Sequence, residues 1–513
     1  MGGLFPGSQL RDQHEDSSKR QLSVLASPQA WAGKPWAVGV VPAAMVLLAA
    51  LQIRNKKVNP RAGTRSSLRE EGRTIAVVTT AALPWLTGTS VNPLLRAAYL
   101  SRDENRTVLL VVPWLRLDDQ ATVFPQGITF ESKTEQDQYM RDWLASRVSF
   151  TPRLTILFYD GHYDKAYGSV LPSGKGHVAG VIPSHLVDVA VLEEPEHLNW
   201  FNSGGLWTDT FPHVVGIAHT NYVEYARQDR GELNARFLKN INKLMVALHC
   251  HKVIKLSDAV QPLPKQVTCF VHGVGERFLE VGDLAARGGG GAFTKGAYFI
   301  GKAVWGKGFH ELLDLAYHYD QHQPQKLHLD VFGSGPDLAA IKAKAERHEL
   351  DARFCGAKDH LHSDLGAYRC FVNPSLSDVV ATTTAEALAM GKWVVVAVHP
   401  ENEFFSSFAN CLQYKDPEEF IACMLRALAH QPAPLTQDER RRLTWEAATE
   451  RFLDVSVLEQ SDWPTWHARL RHHVVGALFQ ATLEGVKAFQ FVLNSITART
   501  KLTHLRRLRA QAP

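Results

Sequence analysis

The chain lacks paired cysteines and lacks a strong charge of either sign. Its 513 residues include 6 cysteines, none in a Cys-x-x-Cys pair, and 56 basic against 52 acidic side chains give a formal net charge of +4. Without such pairs we expect neither a zinc site nor a redox motif of that type, and a reducing compartment is favoured over a secretory one. A charge this small for the length requires no nucleic-acid partner, so we predict none.

Nucleotide and metal motifs are also scarce. The G-x-G-x-x-G spacing of dinucleotide enzymes is absent, and Gly333-Ser334-Gly335 matches it only in part, which removes the main support for an oxidoreductase. The complete Gly-x4-Gly-Lys-Ser/Thr P-loop is absent too. Because no histidine or aspartate cluster stands out, we predict no tightly held metal and no tightly bound cofactor.

What is present is an alternation of apolar strands and helices. Continuous apolar runs such as Thr74–Thr80 and Thr107–Pro113 predict parallel sheets covered on both faces. The alternation breaks at the four glycines Gly288–Gly291 and then restarts. We predict an α/β protein of the GT-B type, with two doubly wound, Rossmann-like domains facing a central cleft. The predicted divisions are a leader at 1–70, an N-terminal domain at 71–287, a Gly-rich linker at 288–296, a C-terminal domain at 297–443 and helices at 444–513.

The leader contains an apolar run. Trp36–Ile53 carries no charge over 18 residues, a length that is just enough to span a bilayer. A basic stretch follows it from Arg54. We interpret the apolar run as a membrane anchor or targeting segment, and the alternative is a disordered leader without such a role. At the other end, the helical stretch Thr444–Glu459 carries an apolar face. The tail places Lys501, Arg506, Arg507 and Arg509 behind the apolar residues of Ala477–Ile496; it could lie on an anionic membrane surface, and we favour the alternative that it packs on a domain.

The segment Asn373–Gly391 combines a strand end, a polar turn and a helix that stops at a glycine. Asp378 and Glu386 lie eight positions apart across it. Thr383 and Glu386 fit a capping box, which predicts a helix start near Thr383 with several unpaired backbone amides. Free amides and the helix dipole make an anion site suited to a diphosphate. The alternative is that Glu386 only caps the helix and Asp378 only shapes the turn.

Two further loops follow strands and contain glycine. Lys302 and Lys307, within Gly301–Gly308, offer cations and close backbone approach, both of which a diphosphate needs. Gly88, after the first strand, would let backbone amides reach an anion or a sugar oxygen. A solvated surface turn and an ordinary flexible turn are the respective alternatives.

Polar residues after two other strands are candidates for chemistry. His219 follows the strand Val214–Ala218, so it points towards the cleft, where it could bond a sugar hydroxyl or handle a proton. A structural histidine is the alternative. Glu196 and His197 belong to Leu-Glu-Glu-Pro-Glu-His after another strand, and they are candidates for holding acceptor hydroxyls. Their alternative is that they simply face water.

Together these segments resemble the retaining glycosyltransferases of the GT-B fold that use nucleotide-sugar donors. The acid-x7-acid pattern of Asp378–Glu386, followed by Ala-Leu-Ala-Met-Gly, and the cations of Gly301–Gly308 carry that resemblance. More narrowly, the chain is similar to the plant and algal galactosyltransferases that make digalactosyldiacylglycerol. The closer match covers roughly Arg73 to Glu459, through Thr79–Thr89, Val91–Leu100, Leu192–Leu198, His219–Tyr222, Phe293–Tyr298 and Thr382–Gly391.

The resemblance implies a reaction and a location. The reaction is transfer of galactose from UDP-galactose to monogalactosyldiacylglycerol with retention of configuration, at the outer envelope membrane of the chloroplast. UDP-galactose, the galactolipid acceptor and the membrane surface are therefore the expected partners. The alternatives are a GT-B enzyme with another nucleotide sugar or acceptor, and a catalytically inert lipid-binding protein on the same fold.

The resemblance also implies roles for individual residues. Glu386 would bind the ribose hydroxyls of UDP, and Lys302 and Lys307 would neutralise the diphosphate, aided by the amides of Thr382–Thr384 and of Gly88. A second pair would act at the sugar, with Asp378 contacting the donor sugar and His219 beside the reacting centre. The wider family usually has Glu where this chain has Asp378, whose shorter side chain reaches less far.

Overall fold

The computed structural model describes residues 63–165, 168–173, 178–201, 204–288 and 293–479. The apolar run Trp36–Ile53, the linker residues 289–292 and the tail beyond residue 479 lie outside these ranges. Within them, no helix is both long enough and apolar enough to cross a membrane. The chain divides into one unit at 59–463 and a second formed by both termini. In the second unit, residues 466–479 are helical.

The first sheet has eight strands in the order β4-β3-β2-β1-β5-β6-β7-β8. Every neighbouring pair is parallel except β3 with β4. The antiparallel edge strand departs from the purely parallel sheet that the apolar runs predict, because β3 extends past its apolar part and pairs back through a short turn. The strands are β1 (Thr74–Val78), β2 (Thr107–Trp114), β3 (Leu154–Asp164), β4 (Ser169–Pro172), β5 (Val189–Glu193), β6 (His213–Ala218), β7 (Lys252–Lys255) and β8 (Gln266–Thr268).

The second sheet has six parallel strands in the order β11-β10-β9-β12-β13-β14. All residues of β10 and β13 are buried, as expected where helices cover both faces. The strands are β9 (Lys295–Ile300), β10 (Leu329–Phe332), β11 (Ala352–Gly356), β12 (Tyr368–Asn373), β13 (Trp393–Ala397) and β14 (Cys411–Tyr414). Two doubly wound, Rossmann-like sheets confirm the predicted α/β fold class.

Helices connect the strands and close the chain. In the first domain they are α1 (Gly88–Leu100), α2 (Leu117–Val123), α3 (Lys133–Ala145), α4 (Pro195–Asn199), α5 (Trp207–Thr210), α6 (Tyr222–Arg230), α7 (Glu232–His249) and α8 (Glu276–Ala286). In the second they are α9 (Phe309–His322), α10 (Leu338–Arg347), α11 (Ser363–Gly366), α12 (Thr382–Ala389) and α13 (Pro417–Ala429). The chain continues through α14 (Gln437–Leu443) and α15 (Trp445–Val455), and 3-10 turns lie at Pro125–Gly127, Val178–Val181, Trp305–Lys307, Pro400–Phe405 and Gln460–Asp462.

After the second domain the chain returns to the first. Trp445 and Phe452 of α15 belong to the core of the first sheet, so the apolar face of this helix is buried in the first domain. The backbone of Leu458 pairs with that of Ser66, and Leu68 is fully buried. Packing of the first domain therefore begins before its first strand and includes the returning helix.

The carboxyl ends of the strands in both sheets carry the predicted site residues. The loop between β12 and α12 reaches the first domain, since the Ser257 hydroxyl donates to the Val379 carbonyl and Val379 is part of the first domain's core. Ser257 follows β7, so these contacts join carboxyl-end loops of the two sheets. Ligands of doubly wound sheets bind at this edge.

Candidate active site

Two loops of the second domain meet at Lys307 and Asp378. Gly308 has a φ of +81°, and a Cβ there would lie 2.7 Å from the Ser375 backbone nitrogen. Because glycine tolerates both the positive φ and the close approach, the loop after β9 packs directly on the loop after β12. The Ser377 hydroxyl fixes this packing by donating to the Gly306 carbonyl. Lys307 Nζ consequently lies 2.5 Å from Asp378 Oδ1.

The start of α12 differs from the predicted capping box. The helix begins at Thr382, its N-cap is Ala381, and no side chain caps it. The Thr383–Glu386 capping box is therefore wrong, because the Glu386 carboxylate turns towards a histidine from another loop. The Thr384 amide is satisfied by the Ala381 carbonyl, while Thr382 is exposed and Thr383 half-buried. This uncapped end keeps the character of an anion site.

Glu386 is held by a buried histidine. Oε2 of Glu386 lies 2.7 Å from Nδ1 of His360, and Nε2 of His360 lies 2.7 Å from the Tyr298 hydroxyl. Tyr298 is fully buried on β9 and the His360 side chain is 6% exposed, whereas Glu386 retains 18%. The carboxylate therefore has one end anchored in the domain and the other towards solvent.

In the first domain His219 also pairs with a carboxylate. Its Nε2 hydrogen-bonds to Glu193, whose other oxygen accepts from Arg96 Nε at 2.7 Å. Glu193 and Arg96 are fully buried, and the His219 side chain is 4% exposed. Burial raises the pKa of the Glu193 carboxyl, but Arg96 and His219 outweigh burial and hold that pKa below its ordinary value. Since Glu193 occupies Nε2, Nδ1 is the ring nitrogen left for a substrate.

The acids that follow Glu193 do not face water. Glu194 adopts a left-handed conformation with φ 60°, and its carboxylate accepts hydrogen bonds from Thr80, at 2.8 Å, and from Thr220. The three residues tie together the carboxyl ends of β5, β1 and β6. Burial would raise the pKa of Glu194, but hydrogen-bonded and charged partners lower it to about 2. A left-handed backbone conformation at a buried, non-glycine residue such as Glu194 is strained, and strain of this kind is typical of functional sites.

Glu196 and His197, predicted on the acceptor side, lie on α4. Their exposed fractions are 2% and 3%, so the alternative that they face water is wrong. Burial raises the pKa of Glu196 to about 8, which keeps that carboxyl neutral at neutral pH. Nδ1 of His197 lies 3.6 Å from Glu194, an electrostatic contact that is too long for a hydrogen bond.

The structure does not bring every predicted residue together. Lys302 is exposed, and within the described ranges it forms no ion pair with Asp378, which pairs with Lys307 instead. Gly88 is the first residue of α1, and a Cβ there would meet just Asn92 Nδ2, at 3.5 Å. Packing therefore does not require glycine at position 88. If a glycine is required there, the reason would be close approach of a ligand to the backbone.

Several polar residues near the site were missed. Arg96, Tyr298 and His360 lie far along the chain from their carboxylate partners, and no local pattern marks them. Glu401 is 1% exposed, and burial raises its pKa to about 7, with a further increase from Asp378. Its position shortly after the buried strand β13 could have identified it, because the same criterion, a polar residue after a buried strand, identified Asp378 and His219.

Comparison with known proteins identifies the family. Residues 294–430 match the model for glycosyl transferases group 1, so the second domain is a glycosyltransferase domain. Digalactosyldiacylglycerol synthase 2, chloroplastic, of Lotus japonicus is 49% identical over 392 residues, which cover 75% of this chain and 84% of that protein. The chain belongs to the digalactosyldiacylglycerol synthase family. The enzyme of the same name from Arabidopsis thaliana is 48% identical over 396 residues, covering 75% and 82%.

The digalactosyldiacylglycerol synthase family also includes longer proteins. Digalactosyldiacylglycerol synthase 1, chloroplastic, of Lotus japonicus is 50% identical over 401 residues, 77% of this chain but 50% of that protein. The chain thus spans about half the length of the synthase 1 relatives that it matches. The names of these relatives support a plastid location for this family member. The solved structure of Anabaena HepE in complex with UDP covers 75% of this chain and 99% of that one at 12% identity, with a TM-score of 0.49.

Proposed function

We propose that this chain is a galactolipid galactosyltransferase. It transfers galactose from UDP-galactose to monogalactosyldiacylglycerol, giving digalactosyldiacylglycerol and UDP with retention of the anomeric configuration. The family supports the choice of substrates, and UDP-galactose acts as a co-substrate, with no tightly bound cofactor or metal. The geometric observation that carries the proposal is the contact of Lys307 with Asp378 beside the uncapped start of α12.

The donor diphosphate would lie between Lys307 and the first turn of α12. Negative charge develops on the leaving phosphate as its bond to the sugar breaks, and cations or amides already aimed at it lower the barrier. Lys307 supplies the cation, and the amides of Thr382 and Thr383 supply hydrogen-bond donors. Lys302 and Gly88 are assigned to the same diphosphate, and Glu386 to the ribose hydroxyls.

The reacting sugar would lie between Asp378 and His219. With Nε2 bound to Glu193, the Nδ1 atom of His219 can accept a hydrogen bond from a sugar hydroxyl. The leaving diphosphate accepts the proton of the acceptor hydroxyl, so the reaction needs no covalent nucleophile. Glu196 and His197, both nearly fully buried, are assigned to the acceptor side.

The membrane is the proposed location of the acceptor, and in the part of the chain that the structure describes we assign its contact to helix α7. Leu233 and Phe237 lie one turn apart on α7 with exposed fractions of 82% and 68%. Arg236, 74% exposed and 3.7 Å from the Glu232 carboxylate, lies between them, and Lys239 follows. An exposed apolar face with basic neighbours suits an anionic lipid surface.

The length of α7 indicates which edge of the sheet its first turns lie near. Its 18 residues span about 27 Å, whereas the 6 residues of β6 span about 20 Å. Since α7 ends at His249, close to the start of β7, we expect its first turns to project past the carboxyl edge of the sheet. We place the enzyme at the outer envelope of the chloroplast, with the run Trp36–Ile53 as a second attachment.

Incubation of the purified protein with labelled UDP-galactose and vesicles of monogalactosyldiacylglycerol tests the reaction. Digalactosyl lipid with a new α-linkage is the expected product. Product from another sugar nucleotide or acceptor would refute the substrate assignment, and no transfer with intact lipid binding would indicate an inert lipid-binding protein.

Vesicle sedimentation tests the surface. A Leu233→Ser and Phe237→Ser double variant should bind anionic vesicles more weakly than wild type. A matched pair of exposed leucines on other helices, Leu284→Ser and Leu425→Ser, should leave binding unchanged. Equal binding by all proteins would contradict the role of α7.

A further inference from the structure

A buried tyrosine and a buried histidine form a relay behind Glu386. The Tyr298 hydroxyl lies 2.7 Å from Nε2 of His360, and Nδ1 of His360 lies 2.7 Å from Oε2 of Glu386. The three residues come from β9, from the loop after β11 and from α12. A single change of register in any of these elements would break the relay.

Hydrogen-bond chemistry determines which atoms of the relay carry protons. Burial, with a smaller contribution from Glu386, raises the pKa of Tyr298 well above its ordinary value, so the phenol stays protonated and can donate to Nε2. An ionised carboxylate can only accept hydrogen bonds, so Nδ1 of His360 must carry a proton and donate a hydrogen bond to Oε2 of Glu386. A neutral imidazole satisfies both bonds at once, which leaves neither ring nitrogen of His360 unpaired.

The surroundings keep the histidine in one orientation. The rings of Phe278, Tyr298 and Phe371 lie within 6 Å of the His360 ring, centroid to centroid. Inside this aromatic cage an unpaired ring nitrogen would be costly. In the described part of the chain, Oε1 of Glu386 has no hydrogen-bond partner, and the side chain keeps 18% exposure, so one oxygen is anchored and the other is presented.

We propose that Tyr298 and His360 are positioning residues that set the selectivity of Glu386 for the ribose hydroxyls of the donor. This inference rests on the proposed function, in which Glu386 binds the ribose of UDP. With Oε2 fixed, Oε1 is held ready to accept a hydrogen bond from a ribose hydroxyl. If the carboxylate were free to rotate, the protein would bind UDP more weakly, because the hydrogen bond to that hydroxyl would weaken. Its affinity for an analogue without the hydroxyl would not change. The relay therefore contributes discrimination and not general affinity.

Calorimetry of the full-length protein with UDP, 2′-deoxy-UDP and 3′-deoxy-UDP tests the relay. Wild type should prefer UDP over one of the two analogues by roughly tenfold or more, as expected for a hydrogen bond to a charged group. Tyr298→Phe and His360→Leu should reduce that preference by roughly three- to tenfold. His360→Asn, whose amide nitrogen can replace Nδ1–H, should keep more of it than His360→Leu. In turnover assays the KM for UDP-galactose should rise while kcat changes little.

Tyr368→Phe is the matched control. The Tyr368 ring lies 5.1 Å from the Tyr298 ring in the same core, but its hydroxyl donates to Asp330 and does not contact the relay. This variant should lose stability without losing the preference for UDP. If Tyr298→Phe and His360→Leu keep the full wild-type preference, the inference is overturned while the proposed function stands. If wild type binds no UDP, the proposed function fails and the inference with it.

Discussion

The contact between Lys307 and Asp378 makes opposite predictions for its two members. Asp378 neutralises Lys307 at 2.5 Å, so an incoming diphosphate must compete with that carboxylate for the ammonium group. Lys307→Ala removes the cation and should weaken UDP binding. Asp378→Asn removes the competitor and should strengthen UDP binding, although it should slow galactose transfer because Asp378 is assigned to the donor sugar.

The exposure of the two side chains sets the magnitudes. Lys307 is 34% and Asp378 14% exposed, so solvent screens part of their attraction. Exposed ion pairs contribute up to about 1 kcal/mol, which limits the gain in UDP affinity for Asp378→Asn to roughly fivefold. A charge-assisted hydrogen bond contributes about 1.5–3 kcal/mol, so Lys307→Ala should weaken UDP binding by roughly 10- to 100-fold.

Calorimetric titration with UDP at two salt concentrations measures both effects. Each should shrink at the higher concentration, because salt screens partly exposed charges. The pair Lys344–Asp314, at 2.6 Å in the same domain, is the matched control, and Lys344→Ala and Asp314→Asn should leave UDP affinity unchanged. If Asp378→Asn weakens UDP binding as much as Lys307→Ala does, Asp378 is not a competitor and the reasoning is refuted.

Three further variants test the first domain. Arg96→Met leaves the buried Glu193 carboxylate with one partner and should lower the free energy of unfolding, measured in urea titrations, by about 3–5 kcal/mol. Adding Glu193→Gln should recover part of this loss. A loss below about 1 kcal/mol would contradict the pairing. Burial lowers the pKa of His213 from 6.5 to about 3, so its contribution to stability is present above pH 6.5 and lost as pH falls towards 3. The free energy of unfolding should therefore fall about 1.4 kcal/mol per pH unit more steeply in wild type than in His213→Gln across that window, and parallel profiles would rule this out. Gly88→Ala should leave the melting temperature unchanged yet weaken UDP binding, whereas unchanged affinity would remove Gly88 from the donor site.

The fold could be predicted because its signals are local. Apolar runs such as those of β1 and β2 lie between helical stretches, and a continuous run of this kind is enough to indicate a strand buried on both faces. Lys307 and Asp378 follow such strands, so the sheet topology alone placed them at one edge. The strands β4 and β14 were missed, because neither is continuously buried: both ends of β4 are half-buried, and β14 alternates half-buried with buried positions.

The buried partners could not be predicted, because their pairing depends on tertiary contacts. Arg96 and Glu193 lie 97 positions apart, and His360 and Glu386 lie 26 apart, so no periodicity connects them. A buried charge requires a partner, but burial itself is visible only in the folded chain. The sequence therefore marks where the carboxylates lie and not what holds them.

The failed capping box at Glu386 shows why that difference matters for function. Thr383 and Glu386 have the spacing for reciprocal capping, and local rules alone would direct the carboxylate to the amide at the helix start. In the folded chain His360 takes that carboxylate, and the start of α12 is left uncapped. One long-range contact thus frees the amides that a diphosphate would need and fixes the carboxylate that a ribose would need. Where a local rule gives way to a tertiary contact, a functional position is the expected reason.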